Sequence, residues 1–264
     1  MKLKYQIKRA IENVSYNVGS ILYNLEVKKY FDVELNGEDK LPGGSAVLAF
    51  NHTFGLDGML TCLGFPRPIH HLIQYEGIHD KSLRNRICSW AVGFIPVSVG
   101  ILDEEGKLKV NSVNSNINRR AWRRARDYLE NYRDFVGVFI DGPASRLLDK
   151  NGKPIPKCER TASESAASFS LSTERPIVPV GIWMPEDVAE RLWEFGPKKK
   201  EENAAYLLDR QKKFKTKKEA LIPYQINVGM PIYPMELNVR SSEKRKILTE
   251  MLKREIVRLG EKQD

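Results

Sequence analysis

The chain has 264 residues, enough for one large domain or two small ones with a substantial hydrophobic core. Hydrophobic residues make up 41% of it and charged residues 29%, which is typical of a soluble, folded α/β protein and excludes a disordered chain. The net charge of +9 at pH 7 favours anionic partners such as lipid headgroups, cofactor phosphates or nucleic acid.

Further classes of protein are excluded by sequence features that the chain lacks. It has no run of about 18 apolar residues, so no membrane-spanning helix is expected. Its first residues, Met1 to Tyr5, lack the apolar core and the cleavage site of a secretory signal peptide. The three cysteines, Cys62, Cys88 and Cys158, are too widely spaced for a metal-binding pair, and their odd number argues against a disulfide framework. We therefore expect a cytoplasmic protein.

Residues 3–27 have the pattern of an amphipathic helix. Basic residues cluster at its start, at positions 2, 4, 8 and 9. Apolar residues recur at helical spacing along one stripe: Ile7, Ile11, Val14, Val18, Ile21, Leu22 and Leu25. Such a helix either lies in a membrane interface or packs on the protein with its basic face in solvent, and the stripe fits both. We therefore divide the chain into an amphipathic helix, 1–28, which is a candidate membrane-surface anchor, and a domain, 29–264, with a basic insertion at 197–218.

Beyond residue 28, predicted strands alternate with predicted helices. Apolar runs bounded by turn residues predict strands at 31–36, 46–50, 69–74, 93–97, 135–140, 176–182 and 224–229. Helical spacing predicts helices at 58–64, 80–92, 111–133, 160–171 and 241–259. The alternation predicts an α/β fold with a mostly parallel central sheet flanked by helices. In such sheets, ligands bind beyond the carboxyl ends of the strands.

The segment from Asn51 to Asp57, which directly follows the predicted strand 46–50, is the strongest candidate for a site. Its histidine, His52, can accept a proton near neutral pH, and Asp57 can orient the imidazole and stabilise its protonated form. An ordinary loop with a polar pair has the same spacing, so this motif alone leaves both interpretations open. Asp141 also directly follows a predicted strand, and we expect it to meet His52 at the same sheet edge.

Four blocks, in this order, resemble those of the glycerolipid and lysophospholipid acyltransferase family, of the 1-acylglycerol-3-phosphate acyltransferase type. They are Asn51-His52 through Asp57 for N-H-x4-D, Gly93 to Val97 for G-x-I-x-V, Phe139 to Pro143 at the place of F-P-E-G-T-R, and Ile177 to Val180 for I-V-P-V. The resemblance covers residues 33–258, and its specificity comes from the ordered set of blocks. It implies the fold of glycerol-3-phosphate acyltransferases.

The resemblance also implies an activity, the transfer of a fatty acyl group from a thioester to a hydroxyl or amine of a lysophospholipid or related lipid acceptor. Acyl-CoA or acyl-carrier protein would be the donor and co-substrate, with no metal and no other cofactor. His52 would take the acceptor proton as the acceptor attacks the thioester, and Asp57 would orient His52. The implied substrate-binding residues are Asn51, Asp141, Gly142 and Arg146. The implied location is the cytoplasmic surface of an anionic membrane, with peripheral association.

Two of the four blocks depart from the family pattern. Val99 stands where the second block of the family usually has an arginine. The third block has Pro143-Ala144 in place of Thr-Arg, and Arg146 lies two positions late. Because arginines bind phosphate through paired N–H donors, these changes put a glycerol-phosphate acceptor in doubt. A non-phosphorylated lipid, a sugar or an amine is the alternative.

Other functions fit parts of the sequence. The altered blocks are compatible with an acyl thioesterase or a non-catalytic lipid-binding protein on the same fold, although the intact His52 and Asp57 pair argues against this. The arginine-rich segment 119–126, with Trp122 inside it, has the composition of a nucleic-acid or anionic-surface binder, or of a solvated helix face. In the acyltransferase interpretation no nucleic-acid partner is expected. Three further histidines lack metal-motif spacing and are predicted to be structural or surface residues: His70, His71 and His79.

Overall fold

The computed structural model describes residues 10–11, 14–19, 21, 28–54, 57–74, 93–98, 101–102, 108–109, 112–141, 162–192, 197–214 and 216–262. Within these residues the chain forms strands and helices that alternate along most of its length. The architecture is a mostly parallel sheet with helices on both faces, so the α/β fold predicted from the sequence is confirmed.

Seven strands of the described residues form one sheet. Their bounds are β1 Phe31–Asn36, β2 Ala46–Phe50, β3 Ile69–Gln74, β4 Ile95–Val97, β7 Phe135–Phe139, β8 Ile177–Trp183 and β9 Ile222–Val228. The strand order is β1-β9-β8-β2-β7-β3-β4. Neighbouring strands are parallel, except that β8 and β9 pair antiparallel. Two short strands, β5 Ile101–Leu102 and β6 Leu108–Lys109, form a separate antiparallel pair.

Helices cover both faces of this sheet. Their bounds are α1 Asp57–Gly64, α2 Ser112–Asp127, α3 Ser165–Thr173, α4 Glu186–Leu192, α5 Pro197–Lys213, α6 Lys217–Ala220 and α7 Ser241–Leu259. On one face, α1 and α4 pack against the sheet through Leu60 and Leu192. On the other face, α2, α3 and α7 pack through Ala125, Phe169 and Leu252. Since β2 is covered from both sides, all of its residues are buried, which explains its unbroken apolar sequence.

The register of the central strands decides which loops meet. In the parallel pair β2 and β7, Phe50 lies opposite Phe139. His52 and Asp141 each lie two residues beyond these partners, so they emerge side by side at the carboxyl edge of the sheet. The expectation that they meet there is confirmed, because the backbone N–H of His52 donates a hydrogen bond to Asp141 Oδ2 at 3.0 Å.

The described part of the N-terminal segment is helical, at residues 10–11, 14–19 and 21, as the sequence predicts. Tyr16 is buried, and its hydroxyl donates to the carbonyl oxygen of Cys62 at 3.1 Å and accepts from the amide of Ile69 at 3.3 Å. Four apolar side chains of the predicted stripe are more than half exposed: Ile11, Val14, Val18 and Ile21. The described part of this helix therefore contacts the domain through Tyr16 and turns these four apolar side chains outward.

Several elements of the structure add to or differ from the sequence prediction. The predicted helix 111–133 is α-helical only to Asp127 and continues as a π-helical turn, Tyr128–Tyr132. The basic insertion at 197–218, for which the sequence predicts either a helical segment or a mobile loop, is largely helical, as α5 and α6, and Tyr206 and Leu207 of α5 pack against the core. Helix α4 and the strands β5 and β6 were not predicted. The predicted helix 80–92 lies outside the described residues.

In the part of the chain that is described, every helix is too short or too polar to cross a membrane.

Candidate active site

The loop after β2 folds around one buried carboxylate, that of Asp57, the first residue of α1. Its Oδ2 accepts hydrogen bonds from the backbone amides of Thr53 at 2.7 Å and Phe54 at 2.9 Å. Its Oδ1 accepts from the hydroxyls of Thr53 at 2.6 Å and Tyr224 at 2.8 Å. Because all of these partners donate, the carboxylate is held as an anion in a fixed orientation.

His52 lies directly against this carboxylate. Its Nδ1 is 3.1 Å from Asp57 Oδ2, and its side chain is 12% exposed, so solvent reaches the ring. An ionised carboxylate only accepts hydrogen bonds, so Nδ1 carries the proton and the lone pair of the neutral ring is on Nε2. This is the arrangement of a general base with its orienting partner, which separates His52 from an ordinary loop histidine.

Strand β7 and its following turn fix the position of His52. The imidazole stacks on the ring of Phe139, with centroids 3.9 Å apart and an angle of 9° between the planes. The backbone amide of His52 is held by Asp141, as described above. The ring plane and the main chain of His52 are therefore both set by the same neighbouring strand.

A second histidine, His71, lies on the other side of Phe139, with ring centroids 5.4 Å apart. Its Nε2 is 2.8 Å from the hydroxyl oxygen of Thr61, and that hydroxyl donates its single proton to the carbonyl of Asp57. His71 Nε2 must therefore be the donor in this pair. Its Nδ1 has no hydrogen-bond partner among the described residues and lies against Gly137, where a Cβ would collide with it. Burial lowers the pKa of His71 to about 3, so the ring is neutral at physiological pH.

The neighbouring His70 is also a structural residue. Its Nδ1 is 3.2 Å from the carbonyl oxygen of Gly93, and its Nε2 is 3.1 Å from Asp134 Oδ2. Its ring stacks on Tyr128, with centroids 3.4 Å apart. The prediction that His70 and His71 are structural agrees with these contacts, whereas His79 lies outside the described residues.

The remaining predicted site residues separate into two groups. Asn51 is buried at the end of β2, and its side-chain amide donates to the carbonyl of Ile182 at 3.1 Å and accepts from the amide of Ile182 at 2.7 Å. Both polar groups of this side chain therefore join β2 to β8, and the substrate contact predicted for Asn51 stays a prediction. Gly142 and Arg146 lie outside the described residues.

Three residues of the site were not singled out from the sequence: Thr53, Phe139 and Tyr224. Thr53 lies inside the first motif block and Phe139 inside the third, so their position in these blocks could have indicated a role at the site. Tyr224 is 167 residues from Asp57 and lies in no block, so only the tertiary structure reveals its contact.

No metal centre is formed by the residues that the structure describes, since they contain no group of three or more His, Cys, Asp or Glu side chains arranged to hold an ion. Independently of this, the contact of His52 with Asp57 can support proton transfer at Nε2 of His52, next to a fixed negative charge.

The strand order and the helices on both faces define an α/β protein with a mostly parallel central sheet. Among solved structures, the chain is similar to the 1-acyl-sn-glycerophosphate (LPA) acyltransferase PlsC from Thermotoga maritima, with a TM-score of 0.52 and 16% sequence identity. The match covers 100% of this chain and 86% of that one. No protein-family model and no curated protein matches the sequence. At this level of identity, the likeness shows the fold.

Proposed function

We propose that this protein is an acyltransferase that moves a fatty acyl group from a thioester to a hydroxyl or amine of a lysophospholipid or related lipid acceptor. The observation that carries the proposal is the contact of His52 with the buried carboxylate of Asp57, on a fold shared with a lipid acyltransferase. The donor is acyl-CoA or acyl-carrier protein, and the reaction requires no metal ion.

In the proposed reaction, the acceptor oxygen or nitrogen attacks the thioester carbonyl carbon while His52 Nε2 removes its proton. The anionic Asp57 stabilises the imidazolium that forms. The tetrahedral intermediate then expels the thiolate as the carbon–sulfur bond breaks, and the proton passes from Nε2 to the sulfur. The products are the acylated acceptor and a free thiol, and the histidine returns to its starting form.

The remaining site residues have supporting roles in this proposal. Asp141 holds the main chain of His52 in place through the hydrogen bond to its amide. Gly142 follows directly and contributes a backbone donor toward the carbonyl oxygen of the thioester. Arg146 binds an anionic group of the donor or the acceptor, for which a guanidinium is well suited. Asn51 is held by β8 and would offer the second N–H of its amide to the substrate.

We further propose that the protein works on an anionic membrane surface, where its lipid acceptor is found. The support comes from the described part of the N-terminal helix, in which four apolar side chains of the stripe are more than half exposed while Tyr16 holds the opposite side against the domain. Basic residues at positions 2, 4, 8 and 9 lie at the start of this segment, where they complement anionic headgroups.

The test is the release of free thiol from a long-chain acyl-CoA by wild type and by His52→Ala, with and without added acceptors. The acceptor panel contains lysophospholipids, glycerol phosphate, sugars and amines, and acyl-carrier protein replaces CoA in a parallel series. We expect release that depends on the acceptor and falls at least about a hundredfold in His52→Ala, since general base catalysis contributes at least that factor. Lys246→Ala, at an exposed residue of α7 on the face of the sheet opposite α1, is the control and is expected to retain the wild-type rate.

Two other outcomes identify the competing functions. Release that depends on His52 but not on any acceptor would make the protein an acyl thioesterase. No release by wild type from either donor, in a protein that still binds lipid vesicles, would favour a non-catalytic lipid-binding protein on this fold.

A further inference from the structure

One polar side chain reaches the site from β9, two strands away from the strand that carries His52. Tyr224 is fully buried, and its hydroxyl donates to Asp57 Oδ1 at 2.8 Å. Its ring packs edge-on against Phe31 and Phe54, with centroids 6.4 Å and 6.2 Å apart, so it has little freedom to turn. Burial raises the pKa of Tyr224 well above its ordinary value, and the phenol therefore remains a neutral donor.

The two carboxylate oxygens of Asp57 accept hydrogen bonds from different groups. Oδ2 faces Nδ1 of His52 and accepts the amides of Thr53 and Phe54, which fixes the loop. Oδ1 points away from the imidazole and receives the hydroxyls of Thr53 and Tyr224. The loop thus has its own backbone anchors, so the bond from Tyr224 acts mainly on the orientation and the charge of the carboxylate.

We infer that Tyr224 is a positioning residue, which holds the Asp57 carboxylate toward His52 and limits how strongly that carboxylate favours the protonated imidazole. Tyr224 touches no substrate and acts through Asp57. The inference deepens the proposed function and rests on it for its catalytic consequence, although the effect on His52 itself is measurable without any turnover.

The groups that face His52 determine the direction in which loss of the Tyr224 hydroxyl moves the titration midpoint of His52. Asp57 from α1 and Asp141 from the turn after β7 are acidic, His71 from β3 is neutral, and Tyr224 reaches His52 only through Asp57. A donor on Oδ1 withdraws negative charge from the carboxylate. When that donor is removed, Asp57 stabilises the imidazolium more strongly, and His52 should lose its proton at a higher pH.

The primary experiment is an NMR pH titration of the histidine rings in wild type and Tyr224→Phe. The His52 signal is identified by its loss in His52→Ala. We expect its titration midpoint to rise by about half a pH unit in Tyr224→Phe, which is a modest part of the effect of a full charge. Tyr132→Phe, at a buried tyrosine in the core on the other face of the sheet, is the matched control and should leave the midpoint unchanged.

A second variant covers the case in which Tyr224→Phe does not fold. Replacement of Tyr224 alone by 3-fluorotyrosine keeps the shape and the hydroxyl but makes the phenol a stronger donor. The midpoint of His52 should then move to lower pH, opposite to the shift in Tyr224→Phe. An unchanged midpoint in the folded variants, or a shift of the wrong sign, would overturn the inference.

The kinetic consequence is a change in the pH profile of kcat/KM rather than a uniform loss. In Tyr224→Phe the acid limb should move to higher pH, so that kcat/KM below neutrality falls about threefold while the alkaline plateau is retained. A merely structural role would lower the whole profile. Should wild type show no His52-dependent thiol release while the His52 midpoint still shifts, the proposed function fails and the inference on Tyr224 stands.

Discussion

The ring of Phe139 lies between His52 and His71. The two histidines differ in their hydrogen-bond partners and in their exposure to solvent, and these differences separate their roles. His52 has a carboxylate partner and partial access to solvent. His71 is fully enclosed, with Thr61 as the acceptor of its Nε2 proton and Gly137 against its Nδ1. Of the two, only His52 is placed to exchange a proton with solvent, and His71 instead completes the stack that supports Phe139.

The neutral state of His71 leads to a prediction about stability in acid. Its pKa is about 3 in the folded protein, against an ordinary value of 6.5, so the unfolded chain binds one more proton between these values. The free energy of unfolding of wild type should therefore fall as the pH drops below about 6.5, and this group alone contributes about 2 kcal/mol of that loss by about pH 5. Urea unfolding at several pH values measures this fall in the free energy of unfolding.

His71→Gln is the variant that isolates this contribution, because it keeps an N–H donor near Thr61 but does not titrate. It should be less stable than wild type at neutral pH, and the difference should narrow by about 2 kcal/mol on going to about pH 5. Parallel pH profiles for the two proteins would show that His71 is protonated in the folded state.

Single residues also show where sequence reasoning succeeds and where it stops. The pairing of His52 with Asp57 and its meeting with Asp141 follow from the motif and from the position of each residue after a strand. The hydrogen bonds of Asn51 to β8 and of Tyr224 to Asp57 do not follow from the sequence. Each joins two residues that are more than 100 positions apart in the chain. The identity of a hydrogen-bond partner across a sheet is set by strand order, which a local pattern does not contain.

At the level of secondary structure, the elements with strong periodicity or continuous burial were predicted closely. Strands β1 and β3 and helix α7 have the predicted bounds. The antiparallel pairing of β9 with β8 was not predicted, because both strands are buried and their apolar sequences carry no information on direction. The π-helical turn at Tyr128–Tyr132 was likewise missed, since its side chains keep a spacing that fits an α-helix.

The contact between β8 and the end of α7 depends on Gly181. A Cβ at this position would collide with the backbone of Leu259 and Gly260, which is rigid because it belongs to the helix terminus. Gly181→Ala must therefore push α7 away from the sheet, and we expect a loss of about 1–3 kcal/mol in the free energy of unfolding. Thermal and urea unfolding followed by circular dichroism measure this change.

A matched control for this substitution exists in the loop before β2. A Cβ at Gly43 would meet nothing within 4 Å, and its φ is not in the left-handed region, so Gly43→Ala should leave stability nearly unchanged. Equal stabilities of Gly181→Ala and Gly43→Ala would show that α7 is packed less closely on β8 than described.

Considered as a whole, the molecule presents two kinds of surface that an anionic lipid membrane would favour. Four apolar side chains of the N-terminal helix are more than half exposed, and the chain carries an excess of nine positive charges. On the other side of the sheet from α1, helix α2 exposes the arginines at 119, 120 and 123. The proposed acceptor is a lipid, so binding of the protein to the surface where that lipid resides would raise its local concentration at His52.

Substitution within the apolar stripe tests the proposed membrane surface. In Ile11→Asp/Val18→Asp, two exposed apolar residues of the stripe become acidic, while Tyr16 and its hydrogen bonds on the opposite side are unchanged. Binding to vesicles that contain anionic lipid, measured by co-sedimentation, should fall at least about tenfold, because both apolar burial and charge attraction are lost. Leu208→Asp, at an equally exposed apolar residue on α5, should bind as wild type does.

In the double variant, thiol release with a water-soluble acceptor should be retained, which separates loss of membrane binding from loss of the fold. Binding of the double variant at the wild-type level would instead place the membrane contact elsewhere, and displacement of wild type from vesicles by DNA would favour a general anion-binding surface.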